Sequence, residues 1–481
     1  MRQDNPAPAV GWNPSWWVYA LLSLLLLVPC YWQTRLQAGD LSSHIYNSWL
    51  TQLIDSGRGE GLTIAGQSTN VLVDLILNRL FRSVGAGAAQ HITVSLAVLI
   101  FAWGAFAFVA AVAGRRPWYL VPCIVMLAYG WVYHMGFFNF YLSLGLCFWG
   151  MALLWNWSPK RALLALPIFA LAYVAHVLPL AWSVALMVYA AVVRRIPVGK
   201  RVYAMGGALV ALVGLLAGLS STLETAWSWR QIDFVTGLDQ IWVFDSKYFV
   251  AVAGLMVVWG ILALDMLRPG SVRQLLDSIP VHLVAISAAG VLLIPSAVLL
   301  PGYHMPLDFI SQRMSLAVGV CICAVLGTVE PTRLVRYGMV GLAVLFFGFL
   351  YRDELALNSF EDQMQAAVAK LSPGQRVVSL IRSPDLRFNA VGHAIDRVCI
   401  DHCYSYANYE PSTGQFRVRA ELPNPIVAYS FDQSWNLQLG TYVVQASDLP
   451  LYAVDLDVDG KMVIKNLQAG APCGSTDFDP L

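Results

Sequence analysis

The stretch AGDLSSHIYNSWLTQLI, residues 38–54, follows directly on the first long apolar run of the chain. Asp40 and His44 are four residues apart, so on a helix they share one face. Ile45, Trp49 and Leu53 repeat at the same spacing on an apolar stripe. The pattern predicts an amphipathic helix lying at a membrane surface, with a carboxylate and an imidazole at its start. A purely structural use of Asp40 is the alternative: an N-cap whose side chain bonds the backbone near Ser42 or Ser43.

The surroundings of that stretch set the class. Of 481 residues, 58% are hydrophobic and only 12% charged, about half the charged share of soluble domains. The chain reads as a polytopic membrane protein. Its formal net charge of +1 gives no reason to expect a nucleic-acid partner. The run Trp16 to Trp32 is long enough to span with a few flanking residues. Arg2 is the only side-chain cation before it, and Leu36-Gln37-Ala38 is a poor cleavage site, so it reads as an uncleaved helix. Either way, Asp40 falls outside.

Five basic clusters fix the expected orientation: Arg115-Arg116, Lys160-Arg161, Arg194-Arg195 with Lys200-Arg201, Arg268 with Arg273, and Arg333 with Arg336. Each pair of successive clusters encloses enough apolar chain for two crossings, which puts all five on the cytoplasmic face. The tally is about eleven spans, with the amino terminus inside and the carboxyl terminus outside. The tightest joint is residues 162–193, which must hold two short helices broken near His176-Val177-Leu178-Pro179. Outer loops are then expected at 36–87, 134–137, 175–179, 222–246 and 302–313, and everywhere after about 352. Within the first of these, Asn70 to Arg82 reads as a second helix with a polar stripe of Asp74, Asn78 and Arg82.

The ionisable residues now fall into a pattern. His44, His134, His176 and His304 all belong to outer turns, together with Asp40, Asp308 and Arg313. Such groups are costly at membrane depth unless they line a cavity, which makes them candidate site residues. Helix caps and ordinary surface positions are the competing use for each histidine. The aromatic run Tyr129 to Tyr141 reads mainly as an interfacial belt, with Asn139 reserved for an interhelical hydrogen bond. No HxH or HxxxH spacing occurs within any one segment, so no metal site is expected.

Composition changes after about residue 355. Glu361 to Leu371 reads as a short helix stopped by Ser372-Pro373-Gly374. Residues 376–381, 425–429, 442–445 and 452–456 read as strands, and Asp459-Gly460 as a hairpin turn. Cys399 and Cys403 suit a disulfide on the oxidising side, leaving Cys473 over; with His393 they could instead bind zinc. The run 404–417, rich in Tyr, Asn, Gln and Arg, is either an ordinary exposed loop or a segment that contacts a glycan and closes over the membrane site.

An uncleaved first helix, the Gly39-Asp40 pair at its outer end, two surface helices in the first large outer loop, many further spans and an outer carboxyl-terminal domain together resemble the GT-C class of integral-membrane glycosyltransferases, in a divergent branch. The likeness covers roughly residues 1–350 and is architectural, with Asp40 as its one motif-level element. Asp40 here has no acidic neighbour, whereas many members carry an adjacent acidic pair. The resemblance implies an all-α polytopic membrane domain over residues 1–352 and an extracytoplasmic α+β domain over 353–481. It further implies a plasma- or inner-membrane enzyme that moves a sugar, with inversion, from a polyprenyl-phosphate carrier to an acceptor glycan, lipid or protein. No cofactor is expected, and the partners are the lipid-linked donor and membrane lipids.

The chemistry needs a base for the acceptor hydroxyl and cations for the departing phosphate. Asp40 suits the base, with His44 to hold it. Arg313 suits the phosphate, with His134, His176, His304 and Asp308 as further substrate contacts. A lipid or glycan transporter, or a non-catalytic envelope-assembly protein, is the rival reading. A transporter would place polar groups near mid-membrane, where this sequence has few.

Overall fold

The computed structural model describes residues 15–267, 272–383, 385–421 and 423–474. Arg2 and Arg268, used above for orientation, lie outside them. The chain is mostly helical. The first helices are α1 (Trp16–Leu27), α2 (Leu41–Asp55), α3 (Leu72–Ala113), α4 (Val121–Ala128), α5 (Trp131–His134) and α6 (Phe138–Trp155). They are followed by α7 (Pro159–Ala175), α8 (Val177–Val193), α9 (Arg201–Thr222), α10 (Phe249–Met266), α11 (Val272–Leu276) and α12 (Ile279–Leu293). The series ends with α13 (Ile310–Leu326), α14 (Arg333–Val368), α15 (Ala394–Val398), α16 (Tyr409–Thr413) and α17 (Phe431–Leu439).

Five helical stretches among the described residues are long and apolar enough to cross a membrane: Leu72–Ala113, Phe138–Trp155, Arg201–Thr222, Ser246–Met266 and Arg333–Val368. Shorter apolar helices accompany them at Trp16–Cys30, Val177–Val193, Ile279–Leu293 and Ile310–Leu326. The outer surfaces of these helices leave leucine and valine bare, including Val188, Val210, Leu215, Leu264 and Val344. A water-facing surface of that kind would aggregate, whereas in lipid it costs nothing. The run beginning at Trp16 gives a shorter α-helix than its apolar length suggests, closing in a 3-10 turn over Val28–Cys30 at Pro29. The joint at His176 is broken as expected, because His176 is extended (φ −169°) between α7 and α8.

The Arg115 guanidinium bonds the carbonyls of Gly327 and Val329 and pairs with Glu330. Arg194 lies over the Trp155 ring.

α3 is kinked at Gly85, whose φ of 79° a side chain would resist. The part before the kink is the expected second helix of the first loop. Its stripe is used: Asp74 meets His44, Arg82 pairs with Asp55, and Asn78 is buried. α2 departs from expectation. It does not lie open on a surface but is covered on two sides. Leu41 and Ile45 join the core of the helical bundle, while Tyr46, Trp49, Leu50 and Leu53 join the core of the carboxyl-terminal segment. Two adjacent apolar stripes, where the spacing rule picks out one, account for the difference. The aromatic run is likewise no interfacial belt. Tyr129, Tyr133, Phe138, Phe140 and Tyr141 are at most 1% exposed; Tyr129, Tyr133, Phe138 and Tyr141 pack on one another, and Phe140 on His176.

α14 continues well past the apolar stretch and carries Glu354, Asn358 and Glu361 on one buried face. The expected short helix at Glu361 is therefore the end of a long one, and the 352/353 boundary falls within it. Beyond it, β4 (Arg376–Ser379), β5 (Tyr404–Ser405), β7 (Leu451–Leu456) and β8 (Met462–Asn466) form a sheet in the order β5-β4-β7-β8. The β7–β8 hairpin turns at Gly460 as expected (φ 74°). Residues 425–429 and 442–445 are not strands: Ile426, Val427 and Ala428 are buried in irregular chain, and Val443 makes a single bridge to Pro472. Elsewhere β1 (Leu62–Ile64) pairs with β6 (Val418–Ala420), and β2 (Glu224–Ala226) with β3 (Ala297–Leu299). The β1–β6 pair ties the first loop to the carboxyl-terminal segment. Cys399 and Cys403 form a disulfide, and Cys473 is free and buried.

Glu361 is the junction of these parts. It accepts from Arg397 Nε and Nη2, both at 2.8 Å, and from Gln37 Nε2 at 3.0 Å, with Arg35 Nε 3.5 Å away. Its side chain is 1% exposed. Removing one member of such a buried pair leaves the other charge without compensation. Glu361→Ala is expected to cost about 3–5 kcal/mol, read from denaturant unfolding of the purified protein; a loss below about 1 kcal/mol, the worth of an exposed pair, would show that the junction is not closed.

Candidate functional site

The Gly39-Asp40 turn is held by backbone. Gly39 N donates to His134 O (2.7 Å) and Asp40 N to Met135 O (3.0 Å). Gly136 makes this approach possible: its φ is +84°, and a Cβ there would sit 2.5 Å from Asp40 N. Asp40 stands at the N-cap position of α2, yet its side chain makes no cap hydrogen bond. The carboxylate that a purely structural cap would occupy is free to face other groups.

Those groups come from distant parts of the chain. His393, just before α15, brings Nε2 to 3.7 Å from Asp40 Oδ1, while its Nδ1 lies 3.2 Å from Asp396 Oδ2. Tyr409 packs on His393, with ring centroids 5.3 Å apart. Arg313, in the first turn of α13, is within electrostatic range of Asp40, Tyr409 and Asp308. Its guanidinium carbon lies 3.6 Å from the centroid of Phe137, and its Nε is buried without a hydrogen-bond partner. Among the described residues no carboxylate pairs with it. Its Nε thus keeps an unused donor.

One turn along α2, His44 Nδ1 is 2.7 Å from Asp74 Oδ1 and 3.9 Å from Glu410 Oε1. Ser43 Oγ donates to Glu410 Oε1 (3.0 Å), and Asn139 Nδ2 donates to Asp74 Oδ2 (2.9 Å). Asn139 thus makes the cross-helix bond expected of it, and it also accepts from Val73 N. Burial disfavours the charged imidazole of His44, but Asp74, with Glu410 and Asp40 behind it, outweighs burial and lifts its pKa to about 10. Burial also drives the Glu410 carboxyl up to about 7, with Asp74 and Asp40 adding to the rise and His44 opposing it. His393 is raised as well: burial opposes this, and the bond and charge of Asp396 prevail with help from Asp40 and Glu410.

The predicted site residues separate into two sets. Asp40, His44 and Arg313 come together, and Asp308 lies near Arg313. His134 contributes its backbone carbonyl; its fully buried ring meets Glu354 Oε1 at 3.2 Å instead of facing Asp40. His176 serves as a helix cap, its Nδ1 accepting from Leu178 N (3.1 Å). His304 is exposed, and only its backbone reaches Gln415 of the carboxyl-terminal segment. Sequence reasoning missed Glu410 and Tyr409 as individuals; the 404–417 run that holds them brings Tyr409 against His393 and Glu410 to His44. It weighed His393 only as a zinc ligand, and the disulfide removes that set. Spacing alone gives no signal for groups that meet across more than 300 residues.

Comparison with protein-family models, with curated proteins and with solved structures finds no match to this chain.

His44 gives the docking of α2 against the start of α3, with Glu410 of α16 behind it, a pH dependence of defined sign. Its folded pKa exceeds the unfolded one, so its stabilisation is complete below about 6.5 and is lost as pH rises through about 10. The melting temperature of the purified protein is expected to fall between pH 8 and 10.5, and His44→Gln to melt lower at pH 8 with a flatter slope above it. Identical slopes in both proteins would contradict the assignment.

Proposed function

We propose that this chain is an integral-membrane glycosyltransferase that takes a sugar from a polyprenyl-phosphate carrier at the outer face of the plasma or inner membrane. What supports the reading is an uncapped carboxylate, Asp40, within electrostatic range of a buried arginine, Arg313, whose Nε has no hydrogen-bond partner. In this reading the five long apolar helices are joined by α1, the α4–α5 segment, α7, α8, α12 and α13 to give about eleven crossings. The basic clusters then lie in the cytoplasm, and the carboxyl-terminal domain is extracytoplasmic. The Cys399–Cys403 bridge supports an oxidising compartment for that domain.

The chemistry follows from the groups present. Asp40 takes the proton of an acceptor hydroxyl, whose oxygen attacks the anomeric carbon. The bond from that carbon to the phosphate oxygen breaks on the opposite side, and Arg313 holds the charge that the phosphate gains. One displacement inverts the anomeric centre. In this reading His393, with Nε2 3.7 Å from Asp40 Oδ1, supplies positive charge beside the carboxylate, and Asp396 fixes the ring of His393.

The test is transfer of radiolabelled sugar from a panel of polyprenyl-phosphate sugars by the protein in vesicles. Asp40→Asn is expected to lower kcat about 10²–10⁴-fold with little change in KM, and Arg313→Ala to cost about 10²–10³-fold. Unchanged turnover in Asp40→Asn would remove the base from the mechanism.

A further inference from the structure

We propose that the ledge formed by Trp227 to Ile232 sits in the lipid layer, at the boundary between headgroups and acyl chains. The inference rests on the membrane reading of the apolar helices and not on the glycosyltransferase reading. The ledge begins where α9 ends. α9 is long and apolar enough to cross a membrane, and only Leu216 among its residues is buried, so nearly its whole surface is left to lipid. After the short strand β2 the chain enters a 3-10 helix over Trp229–Phe234. Side chains three apart share a face of such a helix. Gln231 and Phe234 form the inner face and are buried, whereas Trp229 and Ile232 form the outer face and are 82% and 60% exposed.

The inner face has a definite task. The last carbonyls of a helix lack partners within it and must find them elsewhere, above all in a membrane. At the end of α12, Gln231 Nε2 donates to the carbonyls of Val291 (3.0 Å), Leu292 (3.2 Å) and Ile294 (2.6 Å), and Trp227 Nε1 donates to that of Leu293 (3.0 Å). Gln231 Oε1 in turn accepts from Ser228 N at 3.0 Å. The ledge is thus bolted to the end of α12, and this mount makes no use of Trp229 or Ile232. Those two side chains continue the bare surface of α9, with Leu219 in its last turn and Leu292 at the end of α12 exposed as well. Such a patch is poor against water, whereas tryptophan at the end of a span favours the membrane boundary. Arg230, its guanidinium carbon 6.0 Å from the Trp229 ring centroid, and Asp233 are exposed and supply the charged groups that meet the headgroups. α13 starts from the same turn, since Ile310 N donates to Ser296 O (3.1 Å) and Ser311 Oγ to Ile294 O (3.4 Å). The depth of the ledge is therefore also the depth of the turn that carries Arg313.

The test is spin labelling of the full chain in nanodiscs. The native cysteines are buried or bridged, so a nitroxide can be placed on a single introduced thiol, at Trp229→Cys or at Ile232→Cys, the second of which keeps Trp229 in place. Val210→Cys in α9 is the lipid reference and Val458→Cys in the β7–β8 hairpin the water reference, both positions being exposed. The quantity read is the ratio of collisions with dioxygen, which concentrates in lipid, to collisions with a water-soluble nickel chelate. At 229 and 232 it is expected to lie severalfold above the value at Val458 and below the value at Val210. A ratio equal to that at Val458 would leave the ledge in water, and exclusion of both reagents would place it against protein; either result overturns the proposal. A Val210 label that matched Val458 would remove the membrane reading and the ledge with it, whereas a boundary ratio at 229 and 232 supports the ledge even if no sugar is transferred.

Discussion

The backbone contact between the Gly39-Asp40 turn and the turn over residues 134–136 fixes the rest of the site. Two hydrogen bonds hold it, from Gly39 N to His134 O and from Asp40 N to Met135 O. The approach is closer than any side chain at position 136 would permit. Asp40 stands at the capping position of α2, yet its carboxylate bonds no amide of the first turn and is left to face other groups. α2 then runs from this anchor between the bundle and the carboxyl-terminal segment, and its two apolar stripes bury against both.

This arrangement makes the appended domain part of the site. Glu361 and Arg397 lock the end of α14 to α15, and Arg397 also reaches the Leu36 carbonyl, so the lock is shared with the first loop. α15 follows directly on His393, and the next buried helix, α16, supplies Tyr409 and Glu410. Against burial, Asp74 holds His44 toward its charged form, while burial raises the Glu410 carboxyl.

The sequence disclosed the local features and not the distant pairings. Period and composition were enough for the long apolar helices, the break at His176, the helix beginning near Asn70, the β7–β8 hairpin and the Cys399–Cys403 bridge, because each is decided within a few residues. Asp40 and Arg313 were legible as ionisable groups at expected outer turns. What failed was anything set by packing between remote segments. Residues 425–429 look like a strand because they are apolar, but burial in irregular chain asks for the same residues. The aromatic run was assigned to an interface because Tyr and Trp favour one, yet the same rings fill a core. His134 and His176 shared the signal that marked His44 and were spent instead on a buried acid and a helix cap.

The most direct measurement is an experimental structure of the protein with a polyprenyl phosphate bound. The account predicts phosphate oxygens within hydrogen-bond distance of the Arg313 guanidinium, on the side that faces Asp40, with the lipid tail leaving between the apolar helices. A phosphate bound away from Arg313, or an Asp40 carboxylate turned away from it toward solvent, would contradict the account.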